Sequence, residues 1–129
     1  MGYIIPQRIK PDSDQGYFSQ LSKAVFQAGF SYKVVEQKWP DITEAFENFN
    51  FDSIALWDEE IILFVVQSPK VIRNIKKIRG IVYNAQVFLE LIQEFGSFEA
   101  FLATIRDKPY QEVSKILTKK FKWLGRTGV

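Results

Sequence analysis

The chain has 129 residues, of which 47% are hydrophobic and 16% aromatic, enough to bury the core of one domain. It contains neither cysteine nor histidine, which excludes disulfides, thiolate nucleophiles, imidazole catalysis and structural zinc sites. The formal net charge is only +2, so the distribution of charge is more informative than its sum. No apolar run reaches the roughly 18 to 20 residues of a membrane span, and no signal-peptide core begins the chain, which favours a cytoplasmic protein.

Apolar residues recur at spacings of three and four along most of the chain, which predicts an all-α fold. After an arm that holds Pro6 and Pro11, Ser13 or Asp14 is predicted to cap a first helix that ends at Gly29. The apolar side of this helix carries Phe18, Leu21, Val25 and Phe26.

Proline and aspartate mark the next helix starts. Pro40 is predicted to open a helix, and Asp58 to cap the following one. The longest helix is predicted from about Pro69 to Glu94, and a Gly-Ser pair at 96–97 ends it. No repeat or linker interrupts the pattern, so a single helical domain is expected over residues 1–129. The apolar side of the longest helix carries Ile72, Ile75, Ile78, Val82, Ala85 and Leu89.

Two clusters of basic residues are the first features with functional content. On the longest predicted helix, the cluster shares the side opposite the isoleucines and consists of Lys70, Arg73, Lys76 and Lys77. Ser68 lies next to the predicted start of that helix, where free N–H groups and the helix dipole favour phosphate. Each cluster fits a nucleic-acid backbone and a solvated helix face equally well. The second cluster surrounds Trp123 and consists of Lys115, Lys119, Lys120, Lys122 and Arg126.

Three blocks of sequence carry a resemblance to a known family. They are "QAGFSYKVV" from residue 27, "AFENFNFDSIALWDEE" from residue 45 and "VIRNIKKIRGIVYNAQVFLEL" from residue 71. In order and spacing they resemble the Gln-Ala-Gly-Leu-Ser-Trp block, the Ala-Phe and Phe-Asp segments, and the Ile-Ile-Arg-Asn helix of the bacterial DNA-3-methyladenine glycosylase I family. This family belongs to the helix-hairpin-helix glycosylase superfamily.

The resemblance implies an all-helical enzyme that needs no cofactor. It would flip an alkylated purine such as 3-methyladenine out of double-stranded DNA and excise it by hydrolysing the N-glycosidic bond. Tyr32 occupies the position of the family's base-stacking Trp, and Gly29 would permit the close turn before it. Gln27 and Ser31 would lie beside that ring, and Tyr3 matches the family's pocket Tyr.

The chain departs from the family at several positions. The Glu that binds the base edge is replaced by Ala24, and the family's Cys and His zinc site has no ligands in this sequence. No residue is nominated as the catalytic acid, although candidate carboxylates exist. The chain ends at Val129, before a further family helix, which predicts a shortened relative or a fragment. The candidate carboxylates are Glu36, Asp41, Glu44, Glu47, Glu94 and Glu99.

Three functions fit this sequence. The first is an alkylbase glycosylase whose hairpin at Ser68-Pro69-Lys70 meets the DNA phosphates. The second is a DNA-binding relative that has lost catalysis, which the absence of the pocket Glu favours. The third is a helical protein-interaction module.

Overall fold

The computed structural model describes residues 13–28 and 30–122, and in these ranges it contains seven α-helices and no strand. The predicted all-α fold is therefore confirmed. None of the seven helices has both the length and the apolar character that crossing a bilayer requires. In chain order the helices are α1 (Asp14–Gln27), α2 (Tyr32–Ala45), α3 (Phe51–Ile54), α4 (Glu59–Val66), α5 (Ile75–Phe95), α6 (Phe98–Ile105) and α7 (Tyr110–Lys120).

Short polar side chains cap five of the helices at their start. Asn50 caps α3, and each of the other four caps accepts a hydrogen bond from the backbone N–H three residues later, at 2.9 to 3.1 Å. These bonds satisfy N–H groups that helix geometry leaves without a partner. The caps predicted at Ser13 and Asp58 are confirmed, and α5 ends at Gly96, whose φ of 95° favours glycine. The other four caps are Ser13, Asp58, Asn74 and Ser97.

Pro40 lies inside α2, so the prediction that it opens a helix is wrong. Proline has no N–H to donate to the carbonyl of Glu36, and α2 lacks that one internal bond. The helix continues to Ala45 because Val35 and Ile42, on either side of the proline, are both fully buried in the core. Burial of these two side chains outweighs the loss of one hydrogen bond.

The longest helix, α5, begins at Ile75 and not near Pro69 as predicted. Residues 67–74 form an irregular connection between α4 and α5. Val71 is buried and Ile72 half-buried in this connection, so their side chains anchor a loop where the sequence pattern predicted one face of a helix. The side chain of Asn74 then caps α5 at its true start.

Helix α5 lies at the centre of the fold and packs against α1, α3, α4 and α6. Its fully buried Phe88 contacts Phe18, Phe51 and Phe98, with ring centroids 5.3, 5.0 and 4.4 Å apart. A second aromatic cluster joins α2 to the residues that follow it and contacts Phe26 of α1, with successive rings 5.1 to 5.4 Å apart. This large aromatic core gives α1, α2 and α5 a rigid base. The rings of the second cluster are those of Trp39, Phe49, Phe46 and Trp57.

Candidate functional site

The end of α1 and the start of α2 form a corner that carries most of the predicted base-binding residues. Gln27 is the last residue of α1, and Ser31 immediately precedes Tyr32, the first residue of α2. The Ser31 side chain makes no cap hydrogen bond, and the side chain of Tyr32 is 67% exposed. A large aromatic ring presented in this way is available to stack on a ligand. Tyr3 and Gly29, which were predicted to belong to the same site, lie outside the described residues.

A polar network holds the two helices of this corner together. Glu36, one turn after Tyr32, accepts a hydrogen bond from the Gln27 amide at 3.4 Å. The same carboxylate oxygen is 2.8 Å from the ammonium of Lys23, which also lies 5.5 Å from the centroid of the Trp39 ring. Glu36 therefore places a carboxylate at the corner, on α2 and not on α1.

Ala24 stands on α1, at the position where the resemblance predicts that the family has its base-binding Glu. Its side chain is half-buried and packs against the hydrophobic core. The preceding residue, Lys23, is engaged with Glu36 on the α2 side. The α1 side of the site thus lacks a carboxylate at this position.

The basic residues predicted on the longest helix do not form one helix face. Lys70 and Arg73 lie in the connection before α5, and only Lys76 and Lys77 belong to the helix. Lys77 is buried, its ammonium donates a hydrogen bond to the carbonyl of Val25 at 2.9 Å, and burial lowers its pKa. Lys77 therefore ties α5 to the end of α1 and does not present an exposed cation, contrary to prediction.

The side chains of the predicted hairpin at Ser68 make hydrogen bonds and an ion pair within the protein. The Ser68 hydroxyl accepts a hydrogen bond from the backbone N–H of Lys70 at 3.1 Å, and the ammonium of Lys70 is 2.9 Å from Glu44. Arg73 donates to the carbonyl of Gln67 at 3.4 Å. Because α5 starts several residues later, no helix begins beside Ser68, and the predicted phosphate site at a helix start is wrong.

Several of the candidate carboxylates have structural partners. Glu47 accepts a hydrogen bond from the hydroxyl of Ser53 at 2.7 Å, and Glu99 from Arg106 at 2.7 Å and from Tyr17. In residues 13–28 and 30–122, no group of three acidic or other ligating side chains is arranged to hold a metal ion. With no cysteine or histidine in the sequence, the zinc site implied by the resemblance does not fit these residues.

A buried amide that the sequence analysis missed directs the chain after α7. Asn84, fully buried in α5, donates to the carbonyl of Lys122 at 3.1 Å and accepts from its N–H at 2.8 Å. Both bonds hold one backbone position just beyond the end of α7, next to the buried Phe121. The signal was present in the sequence as a single amide within the apolar run 81–85, but its partner is 38 residues away.

Replacement of Asn84 by alanine is expected to lower the free energy of unfolding by about 1–3 kcal/mol, because both Lys122 backbone groups lose their partner. Urea denaturation followed by tryptophan fluorescence measures this change. Gln86→Ala is the matched control, since Gln86 makes one exposed hydrogen bond from the same helix, to the carbonyl of Ala55. Equal losses in the two variants would show that the amide does not stabilise this part of the fold.

Comparison with known proteins places this fold. The family model for methyladenine glycosylases matches residues 9–122. The structure of 3-methyladenine DNA glycosylase I from Staphylococcus aureus aligns with a TM-score of 0.82 at 24% identity, covering 93% of this chain and 74% of that chain. A glutamate-to-glutamine variant of the S. aureus enzyme gives 0.78 and 26% identity, with 90% and 73% coverage. A tyrosine-to-phenylalanine variant of 3-methyladenine DNA glycosylase I, solved with 3-methyladenine, gives 0.78 and 25%, with the same coverage.

The helical architecture is that of a DNA glycosylase. The chain belongs to the methyladenine glycosylase family, because that model covers most of its length. It is a DNA-repair enzyme of the class that hydrolyses N-glycosyl bonds, and its substrate is DNA that carries an alkylated base. The predicted family, fold and enzyme class are therefore confirmed, whereas the roles of individual residues stay predictions.

Proposed function

We propose that the enzyme releases 3-methyladenine from double-stranded DNA after rotating the base out of the duplex and stacking it on Tyr32. The observation that carries this proposal is the exposed Tyr32 ring at the α1–α2 corner, where the family has its stacking Trp. The face of an aromatic ring is electron-rich, and methylation leaves the adenine with a positive charge. Stacking on Tyr32 therefore favours the methylated base over its neutral counterpart.

Four further residues are assigned to the same base. Gln27 and Ser31 both precede Tyr32 in the chain, and the oxygen atoms of their side chains can accept hydrogen bonds from the base edge. Glu36 adds a carboxylate one turn from Tyr32, and its negative charge attracts a cationic ligand. Tyr3 remains a predicted pocket residue that completes this set.

The chemistry proposed for the site needs little acid assistance. Water adds to the sugar carbon, the glycosidic C–N bond breaks, and neutral 3-methyladenine leaves with release of one proton. Because the methylated base is already cationic, it departs without prior protonation. The enzyme's main contribution is to hold the base outside the duplex and to stabilise the positive sugar of the transition state. No metal or cofactor takes part in this scheme, and action on DNA is consistent with the cytoplasmic location that we propose.

The alanine at position 24 favours a second function, DNA binding without catalysis. Without the carboxylate that the family uses on α1, the protein would bind DNA without releasing a base. Whether the protein is an enzyme or only binds DNA, we propose that the phosphates are contacted near the start of α5. The residues proposed for this contact are the exposed Arg73 and Lys76, together with Ser68 and Lys70 of the connection. This alternative predicts DNA binding that weakens steeply with salt, and no base release above the spontaneous rate.

Single-turnover release of 3-methyladenine from alkylated duplex DNA, with protein in excess, tests the proposal. Tyr32→Ala is expected to lower the rate constant about 5- to 150-fold, since stacking on an aromatic side chain contributes roughly 1–3 kcal/mol per base. Tyr32→Phe keeps the ring and is expected to retain most of the rate. The fold should be preserved in all variants, because Tyr32 is largely exposed.

Tyr110→Ala is the matched control, since Tyr110 also begins a helix and is 66% exposed. Its rate is expected to equal that of the unmodified protein. A comparable loss in both variants would refute the assignment of stacking to Tyr32. If the protein binds the DNA but releases no base, the proposal of an active enzyme is refuted, and the protein is a DNA-binding relative without catalysis.

A further inference from the structure

Helix α4 is apolar around most of its circumference, although the fold covers only one side of it. Six of its eight residues are apolar, and the other two are Glu59 and Glu60. Ile62 and Val65 are buried, and Val66 is half-buried against the core. A helix that is hydrophobic on all sides is normally buried on all sides. The uncovered side of α4 therefore indicates a contact with another molecule.

The uncovered side of α4 carries three apolar side chains. Because successive residues of an α-helix are rotated by about 100°, Leu63, Phe64 and Ile61 fall within an arc of about 160° opposite the buried residues. Leu56 adds a fourth apolar side chain just before the cap Asp58. The four side chains are between 40% and 82% exposed and present about 400 Å² of apolar surface. We call Leu56, Ile61, Leu63 and Phe64 the α4 patch.

The size of the α4 patch is close to what a dimer needs. A specific interface buries about 800 Å² on each partner, of which roughly 60% is apolar. The patch supplies most of that apolar area, so a second copy of the same patch is a partner of matching size. The rest of such an interface is polar, and two polar residues of the same side are placed to contribute to it.

These residues, Glu60 and Gln67, lie on one line along the exposed side of α4. They are seven residues apart, which is two turns and about 10 Å along the axis. Glu60 makes no ion pair among the described residues, whereas its neighbour Glu59 pairs with Arg79. At the other end of the helix, the guanidinium of Arg73 donates to the carbonyl of Gln67. The exposed side of α4 is thus acidic at its N-terminal end and basic at its C-terminal end.

We infer that two copies of this chain associate through their α4 patches, with the two α4 helices antiparallel. The midpoint between Glu60 and Gln67 falls between Leu63 and Phe64, within the α4 patch. A two-fold axis at this point places each Glu60 opposite the partner's Gln67, with the partner's Arg73 nearby. A parallel arrangement is disfavoured, because it brings the two Glu60 carboxylates together. The interface is small, so we expect a dissociation constant of about 10–100 µM and a monomer at the lower concentrations used for denaturation.

Sedimentation equilibrium of the DNA-free protein over about 1–300 µM, which brackets the expected dissociation constant, tests the inference. Phe64→Ser is expected to weaken the dimer about 10- to 100-fold, since an aromatic side chain at the centre of an interface is a typical hot spot. Tyr110→Ser is the matched control, because Tyr110 is similarly exposed at the start of α7, and its dissociation constant should be unchanged. A protein that stays monomeric up to about 300 µM would overturn the inference, as would equal weakening in both variants.

An exchange of charge tests the antiparallel arrangement. Glu60→Lys replaces attraction to the partner's Arg73 by repulsion and is expected to weaken the dimer about 10-fold. Adding Gln67→Glu gives the lysine at position 60 a carboxylate across the two-fold axis, which should restore the affinity to within about threefold. A double variant as weak as Glu60→Lys alone would overturn this arrangement.

The same end of α4 adjoins the connection whose Ser68, Lys70 and Arg73 are proposed to contact phosphates. An excess of undamaged duplex is therefore expected to replace the dimer by a complex of one protein and one duplex. If DNA binds while the dimer persists, the dimer stands and the phosphate contact proposed at this connection fails. Base release is measured separately and does not bear on the dimer.

Discussion

Replacement of Phe88 by alanine is expected to lower the free energy of unfolding by about 3–5 kcal/mol, the largest effect we predict for this protein. Phe88 is fully buried at the centre of α5, and its ring contacts aromatic rings of α1, α3 and α6. Removing the ring leaves a cavity that rigid neighbours such as Phe98 cannot fill. Since domains of this size are stable by only about 5–15 kcal/mol, the variant would be close to unfolding.

Chemical denaturation with urea measures this loss, as a shift of the midpoint with an unchanged slope. Phe64→Ala is the matched control, because Phe64 is 78% exposed on α4 and its removal should change the stability by less than about 0.5 kcal/mol. Two variants of equal stability would contradict the central position of the Phe88 ring.

Introduction of the family's carboxylate by Ala24→Glu is expected to strengthen binding of free 3-methyladenine and to speed its release from DNA about 10- to 150-fold. A hydrogen bond to a charged group contributes about 1.5–3 kcal/mol, which converts to this range. Ala24 is half-buried on α1, three residues before Gln27, so a carboxylate at position 24 would lie on the same side of the helix as Gln27. Calorimetry with the free base and single-turnover release measure the two effects.

Ala24→Gln separates charge from size, because glutamine has nearly the same volume but no charge. Its gain is expected to be much smaller than that of Ala24→Glu. In the unmodified protein, Glu36 is the carboxylate at this corner, so Glu36→Gln should weaken binding of the cationic base. Equal gains in the release rate from glutamate and glutamine at position 24 would show that this position does not face the cationic base of the DNA substrate.

Much of the helical fold could be predicted from local signals. The caps at Ser13 and Asp58 and the inward positions of Phe18 and Phe26 all depend on residues within one or two turns. The errors at Pro40 and Pro69 have one cause in common. Proline can occupy the first turn of a helix, a loop or, at a cost, the interior of a helix. Packing against distant segments decides which of these forms.

The residues of the candidate site were harder to predict from the sequence than the fold was. The role of Tyr32 was predicted from its family block and stays a prediction, and the structure places its ring on an exposed corner. Asn84 was missed because its partner, the backbone of Lys122, is remote in sequence. Helical periodicity assigned Lys77 to a basic surface, although its ammonium lies against the end of α1. Periodicity separates the two sides of a helix, but it does not say which neighbour covers each side.

By itself, the sequence determined the helical class, the family and most helix ends, because these depend on hydrogen bonds and apolar spacing over a few residues. Only the tertiary structure decided which cations are available to a ligand. Lys77 is buried because a carbonyl of α1 accepts its ammonium, whereas Lys119, Lys120 and Lys122 stay uncompensated because the fold brings no carboxylate of the described residues to them. Such pairing depends on contacts between distant segments, and local sequence does not encode it.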